Sequence, residues 1–338
     1  MSVLLPLAFI VVGFSLLIKG ADWLVDGASS IARKLGISNL VIGLTVVSFG
    51  TSAPELVVNI FASFRGSAEI AIGNIVGSNI SNTLLILGLT AAIIPLTVQK
   101  STVFKEIPFC LLASLILFIM ANDLLIDHYS ISELSRSDGF AFLGFFIIFL
   151  YYTFGIRKQG QPENGNEEEK QKVVKTSLWI PGWEIFGGLI GLSIGGEFAV
   201  RGAIDIAEIL GLSEAFIGLT IVALGTSLPE LTASLVAAFK KMPDISVGNI
   251  VGSNIFNIFW ILGLSSIIRP LPFHPEINFD LLVVIASTLA LFVFIHTGKL
   301  PRRLLFWRQR EGHMISRWEG IALLTSYFAY IGYISFRG

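Results

Sequence analysis

The chain has 338 residues, 54% of them hydrophobic and only 14% charged, with a formal net charge of −1. Ordinary globular proteins carry about 25% charged residues, so a pair of soluble domains built from this composition would lack the polar residues to cover its surface. The single cysteine, Cys110, lies in an apolar run, can form no intramolecular disulfide, and reads as packing.

Apolar runs recur along the whole length, each near the roughly 20 residues that a bilayer about 30 Å thick demands of a helix. Ten spans are predicted. The first covers 3–33 and is long, with Lys19, Asp22 and Asp26 in its later half; it has neither the basic start nor the cleavage site of a signal peptide. Spans two to five are predicted at 38–64, 67–94, 101–121 and 138–155. Residues 156–177 contain Gly160 to Asn166 followed by Glu167 to Lys170, with no apolar period, and read as a linker. Spans six to ten follow at 180–208, 213–239, 242–269, 277–297 and 317–335.

The second half repeats the first. Residues 36–88 align without a gap to 211–263 at a constant offset of 175, with 28 identities in 53 positions. The domain reading is therefore a five-helix repeat over 1–155, a linker over 156–177 and a second five-helix repeat over 178–338. Five spans is an odd number, so the second repeat must enter the membrane from the opposite side, the inverted-topology arrangement common among secondary transporters. Basic residues test this independently. Counting residues at span ends with the adjoining loop, loops after odd-numbered spans carry 17 of the 23 lysines and arginines, whereas loops after even-numbered spans and the C-terminal tail carry 4; Lys19 and Arg201 lie deeper inside spans. The positive-inside rule then places the 156–177 and 298–317 loops in the cytoplasm and both termini outside, in a multi-pass protein of the plasma (inner) membrane. The basic 298–317 loop reads as a topology determinant.

Within the repeat sits an acidic motif, Gly50-Thr51-Ser52-Ala53-Pro54-Glu55, which returns as Gly225-Thr226-Ser227-Leu228-Pro229-Glu230. A carboxylate among apolar neighbours is costly and marks a functional site. Pro54 and Pro229 lack an N–H and interrupt the helical ladder, freeing carbonyls near Gly50–Thr51 and Gly225–Thr226. Irregular backbone survives at membrane depth only when buried in protein or lining a hydrated cavity. Downstream, Asn74, Ser78 and Asn82, and in the second copy Asn249, Ser253 and Asn257, recur every four residues and share one helical face. Helices 2, 3, 7 and 8 are thus expected to break around a central ion site. Carbonyls, hydroxyls, amides and carboxylates are hard oxygen donors; they suit Ca²⁺ and Na⁺, not zinc or copper. If a pseudo-twofold axis relates the halves, Glu55 and Glu230 should meet near the midplane, and two carboxylates in low dielectric need a cation between them.

The paired motifs, GTSAPEL and GTSLPEL, each followed by a GNIVGSN segment, resemble the alpha-repeats of the sodium/calcium exchanger branch of the calcium/cation antiporter superfamily, in its prokaryotic form without a large regulatory insertion. The resemblance implies ten helices in two inverted halves and electrogenic exchange of Na⁺ for Ca²⁺, with no enzymatic activity, no cofactor and no obligate protein partner beyond the bilayer. It also implies ligands. Glu55 and Glu230 would be shared by Ca²⁺ and Na⁺, and main-chain oxygens of Thr51 and Thr226 would bind Ca²⁺. Ser52, Ser78, Ser227, Ser253 and the Ala223 carbonyl would complete flanking Na⁺ sites, with Asn82 and Asn257 lining the centre. Some relatives carry Asp where this chain has Asn257; here the centre holds two formal charges, which implies K⁺ independence. Asp22 and Glu197, equivalent under the repeat, are expected to pair with Lys19 and Arg201, and spans one and six to slide during alternating access. Ca²⁺/H⁺ exchange on the same glutamates is the nearest alternative. The chain lacks the catalytic Gly-Asp arrangement of an intramembrane acid protease, and a channel would assemble its filter around an axis along the pore.

Overall fold

The computed structural model describes residues 3–99, 102–126, 128, 131–155, 179–210, 225–296 and 313–337. These are overwhelmingly helical: α1 Leu4–Leu35, α2 Asn39–Thr51, α3 Ala53–Arg65, α4 Ala68–Ile93, α5 Thr102–Met120, α6 Arg136–Gly155, α7 Trp179–Ile209, α8 Leu228–Phe239, α9 Pro243–Ile268, α10 Pro275–His296 and α11 Arg317–Arg337. Among the described residues, six helices are long and apolar enough to cross a membrane, or seven if α2 and α3 form one broken span. The predicted linker, most of the 298–317 loop and the first part of span seven lie outside the described residues.

The chain forms two compact units, and each draws on both sequence halves. The first comprises residues 1–52 and 147–249; the second comprises 53–146 and 250–338. The chain therefore passes between units three times: inside the first acidic motif at Ser52–Ala53, within α6 at Phe146–Ile147, and at Asn249–Ile250.

The first unit is built on α1 against α7. Gly13, Gly20 and Gly27 recur every seven residues on α1, and Gly188, Gly195 and Gly202 do so on α7. A Cβ on Gly20 would lie 2.8 Å from the Gly188 carbonyl oxygen, and one on Gly27 would lie 2.7 Å from that of Pro181. Small residues allow this approach, and in lipid, where apolar tails compete for side chains, close backbone packing is what holds helices together. The pair runs antiparallel: partners fall from Ala199 to Pro181 as α1 advances from Gly13 to Gly27. Leu17, Leu24, Val25, Leu192, Ala233 and Ile245 seal the core beside it. Gly36, at φ 62°, ends α1 in the left-handed conformation, where a side chain would be strained, and Ile37 N–H closes the turn on the Ala32 carbonyl. Ser38 Oγ then accepts from Val41 N–H to open α2.

The second unit contains two small antiparallel ladders. β1 (Leu96–Val98) pairs with β4 (His313–Ile315), and β2 (Glu133–Leu134) pairs with β3 (Leu271–Pro272). Gly88 on α4 meets Gly320 on α11, and its repeat equivalent Gly263 on α9 meets Gly139 on α6. Phe259 is buried among Phe109, Phe142 and Phe145, with ring centroids 5.8, 6.0 and 5.4 Å away. Exposed apolar side chains such as Phe140 on α6 and Leu282 and Val293 on α10 give the lipid-facing surface expected of spanning helices.

The expected helix breaks are realised in two different ways. Between α2 and α3 the ladder does stop, with a turn at Ser52, so that Pro54 falls in the first turn of the new helix, where its missing N–H has no bond to lose. Pro229 occupies the same position in α8, after Ser227. Helices α4 and α9, in contrast, do not break. Both remain helical and widen into π-helix, over Ser81–Ile86 and Phe256–Leu262. These segments contain no proline. The wider turn displaces side chains while keeping backbone groups bonded, which hydrocarbon demands, and such insertions are frequent at functional sites.

Candidate cation site

Each acidic motif is placed by a helix start. Glu55 and Glu230 both lie in the first turn of their helices, α3 and α8, and both are fully buried. The positive end of the helix dipole favours a carboxylate there by roughly 0.3–1 kcal/mol, more when the group is partly buried.

In the first unit, Ser52 Oγ donates to Glu230 Oε1 at 3.1 Å, joining the middle of the first motif copy to the carboxylate of the second. Asn249 holds the surrounding backbone. Its Nδ2 donates to the Glu230 carbonyl oxygen at 3.3 Å and to Ser234 Oγ at 3.0 Å, while its Oδ1 accepts from Thr51 Oγ1 at 3.0 Å. Thr51, Ser234 and Asn249 are all fully buried. Glu230 Oε2 and Ser227 Oγ are buried and have no hydrogen-bond partner among the described residues.

In the second unit, Ser78 Oγ donates to Glu55 Oε1 at 3.4 Å and accepts from Asn257 Nδ2 at 3.1 Å. Asn59 Nδ2 donates to the Glu55 carbonyl oxygen at 3.0 Å, and Ser63 Oγ to the Asn59 carbonyl oxygen at 2.8 Å. Four asparagines interlock beside them. Asn82 Nδ2 donates to Asn254 Oδ1 at 3.0 Å, and Asn257 Nδ2 to Asn79 Oδ1 at 2.9 Å. These two bonds exchange under the 175-residue offset. The carbonyl oxygens of the outer pair, Asn82 Oδ1 and Asn257 Oδ1, and the hydroxyl of Ser253 are buried without a hydrogen-bond partner among the described residues.

The donor set is hard throughout: carboxylate, amide and hydroxyl oxygen. Among the described residues no group of three or more His, Cys, Asp or Glu is arranged to hold a metal ion by itself. Buried acceptors without donors are costly, and a cation satisfies them without requiring a hydrogen. Such a lining suits Na⁺ and Ca²⁺.

Of the residues singled out in the sequence, Thr51, Ser52, Ser227 and Glu230 belong to the first unit's cluster, and Glu55, Ser78, Asn82, Ser253 and Asn257 lie in the second unit. Thr226 is half-buried in the turn before α8. Ala223 lies outside the described residues. Lys19 pairs with Asp22 at 3.0 Å and Arg201 with Glu197, as their spacing suggested. Asp22 has a further partner that spacing did not reveal: Lys240 Nζ, just past α8, lies 2.5 Å from Asp22 Oδ1 and 2.7 Å from Asp26 Oδ1. Sequence reasoning also assigned no role to Asn59, Asn79, Thr83, Ser234 or Asn254. The signal for Asn79 and Asn254 was present, since both stand at the same place in the repeated Gly-Ser-Asn segment; Asn59 and Ser234 each lie one turn beyond a motif glutamate.

Apolar helices of membrane-crossing length and buried carboxylates among neutral oxygens define an integral membrane protein equipped to hold cations in its interior. The chain belongs to the sodium/calcium exchanger family, whose model, described as sodium/calcium exchanger protein, matches residues 5–155 and 182–336. It is 35% identical over 350 residues to the sodium/calcium exchanger MaX1 of Methanosarcina acetivorans, covering 95% of this chain and 96% of that one. It is 37% identical over 276 residues to the inner membrane protein YrbG of Escherichia coli, covering 79% of this chain and 81% of YrbG. A solved structure of the sodium-calcium exchanger NCX_Mj, soaked with zero Na⁺ and Ca²⁺, superposes with a TM-score of 0.79 at 34% identity, covering 98% of this chain and 100% of that one. Cation antiport by a multi-pass membrane protein follows from this membership.

Proposed function

We propose that the protein exchanges Na⁺ for Ca²⁺ across the plasma membrane by alternating access, through ten helices in two inverted repeats of five with both termini outside. Glu55 and Glu230 are the shared charged ligands. Thr51 and Thr226 add main-chain oxygens for Ca²⁺; Ser52, Ser78, Ser227, Ser253 and the Ala223 carbonyl complete the Na⁺ positions, and Asn82 and Asn257 line the centre. The observation that carries this reading is the environment of the two glutamates. Each is fully buried at a helix start and receives a serine hydroxyl, and unpartnered neutral oxygens accompany them.

Repeat-equivalent contacts support the inverted arrangement. Helix α4 of the first half packs on α11 of the second through Gly88 and Gly320, while α9 of the second packs on α6 of the first through Gly263 and Gly139. The two short ladders repeat the exchange, with Leu96 opposite Ile315 and its equivalent Leu271 opposite Leu134.

Two carboxylates balance one Ca²⁺ or two Na⁺, and no third charge at Asn257 calls for K⁺. The deciding experiment is ⁴⁵Ca²⁺ uptake into proteoliposomes loaded with Na⁺, beside proteoliposomes carrying only a pH gradient. Uptake that requires internal Na⁺, is indifferent to K⁺ and disappears in Glu55→Gln and Glu230→Gln is the expected result. Uptake driven equally well by the pH gradient moves the protein to Ca²⁺/H⁺ exchange.

A further inference from the structure

We infer that Asn79 and Asn254 are positioning residues that set which end of the Asn82 and Asn257 amides faces the transported cation. The inference rests on the site reading above and extends it to residues that touch no ion.

A side-chain amide is ambivalent at a cation site: its oxygen attracts the ion, and its NH₂ group repels it. An asparagine free to turn over would present the wrong end part of the time. Here the NH₂ groups are consumed by the protein. Asn82 Nδ2 donates to Asn254 Oδ1 at 3.0 Å, and Asn257 Nδ2 donates to Asn79 Oδ1 at 2.9 Å. The opposite ends, Asn82 Oδ1 and Asn257 Oδ1, are buried without a hydrogen-bond partner among the described residues.

The anchors are themselves oriented. Asn79 Nδ2 donates to the Asn254 carbonyl oxygen at 3.3 Å, and Asn254 Nδ2 donates to Thr83 Oγ1 at 2.9 Å. Each anchor thus points its NH₂ elsewhere and turns its oxygen toward the amide it holds. Turning Asn82 or Asn257 over would set oxygen against oxygen. All four side chains are at most 2% exposed, so water offers little substitute. Both halves carry the same device, since Asn79 and Asn254, like Asn82 and Asn257, are separated by 175 residues. The anchors lie next to Ser78 and Ser253 in sequence, which explains why a stripe read at four-residue spacing passed over them.

A double-mutant cycle separates orientation from simple structural support. A carboxylate has an oxygen at both ends, so Asn257→Asp makes the orientation of that side chain irrelevant. Ca²⁺ binding to purified protein in detergent is followed by isothermal titration, with thermal stability as a folding control. Asn79→Leu should weaken Ca²⁺ binding by about tenfold in the natural background and by less than about threefold in the Asn257→Asp background. Asn254→Leu, which releases Asn82 instead, should cost about tenfold in both. An equal cost for Asn79→Leu in both backgrounds overturns the inference in favour of structural support, and no cost in the natural background overturns it outright. If the Leu variants do not fold, Asn79→Ser and Asn254→Ser complete the same cycle. Failure of the site reading is distinguishable, because Glu55→Gln and Glu230→Gln would then retain Ca²⁺ binding.

Discussion

Gly13 and Gly195 face each other across α1 and α7 so closely that a Cβ on either would lie 2.8 Å from the carbonyl oxygen of the other. The repeat-exchanged pair, Gly188 and Gly20, is equally tight, at 2.7 and 2.8 Å. The same interface is therefore written twice. It holds the two helices, proposed to move in alternating access, as one body. Gly13→Leu has no space to occupy and should cost at least about 1–3 kcal/mol by overpacking. Thermal unfolding in detergent should register the loss together with reduced transport; unchanged stability would show that the pair separates readily.

Transport of a divalent cation by paired glutamates predicts ligand-dependent stability. Ca²⁺ at about 100 times its dissociation constant should stabilise the folded protein by about 2.7 kcal/mol. A raised melting temperature that chelator abolishes is the expected observation, with no Ca²⁺ effect in Glu55→Gln. Stabilisation that persists in this variant would place the ion elsewhere.

Ser52→Ala removes the hydroxyl that donates to Glu230 Oε1. A hydrogen bond to a charged group contributes roughly 1.5–3 kcal/mol, so Ca²⁺ affinity should fall by at least about tenfold while the protein stays folded. Isothermal titration reads this directly. A Ser52→Ala protein with unaltered affinity would mean that the bond is absent once the ion is bound.

The Lys240 ammonium bridges Asp22 and Asp26 on α1. If α1 slides against α8 during transport, this bridge must open in every cycle. Cysteines at positions 22 and 240, in a Cys110→Ser background and joined by a reducible bifunctional reagent, should stop transport until reductant is added. Full transport in the cross-linked protein would remove sliding of α1 past α8 from the mechanism.

The glutamates, their motifs and the membrane-crossing character of the helices were legible in the amino-acid order for a physical reason. A bilayer imposes a fixed apolar length, and burying a carboxylate within it is too costly to occur by accident. Duplication then marked Glu55 and Glu230 as equivalents at an offset of 175. The charge pairs Lys19–Asp22 and Arg201–Glu197 were equally readable, because they lie within one helical turn.

Partners far apart in the chain were not readable. Asn82 meets Asn254 and Thr51 meets Asn249 across separations of 172 and 198 residues. Lipid-exposed and protein-facing sides of a membrane helix are similarly apolar, so periodicity does not say which helix lies beside which. The same limit hid the π-helical widening of α4 and α9, which the identities of Ser81–Ile86 and Phe256–Leu262 do not announce. Residue order thus dictated the apolar character of the spanning helices, the duplication and the pairing of charges within one helical turn. Tertiary packing decided which amide each asparagine holds and which oxygens remain for a cation, because a hydrogen bond exists only where two helices bring donor and acceptor within about 3 Å.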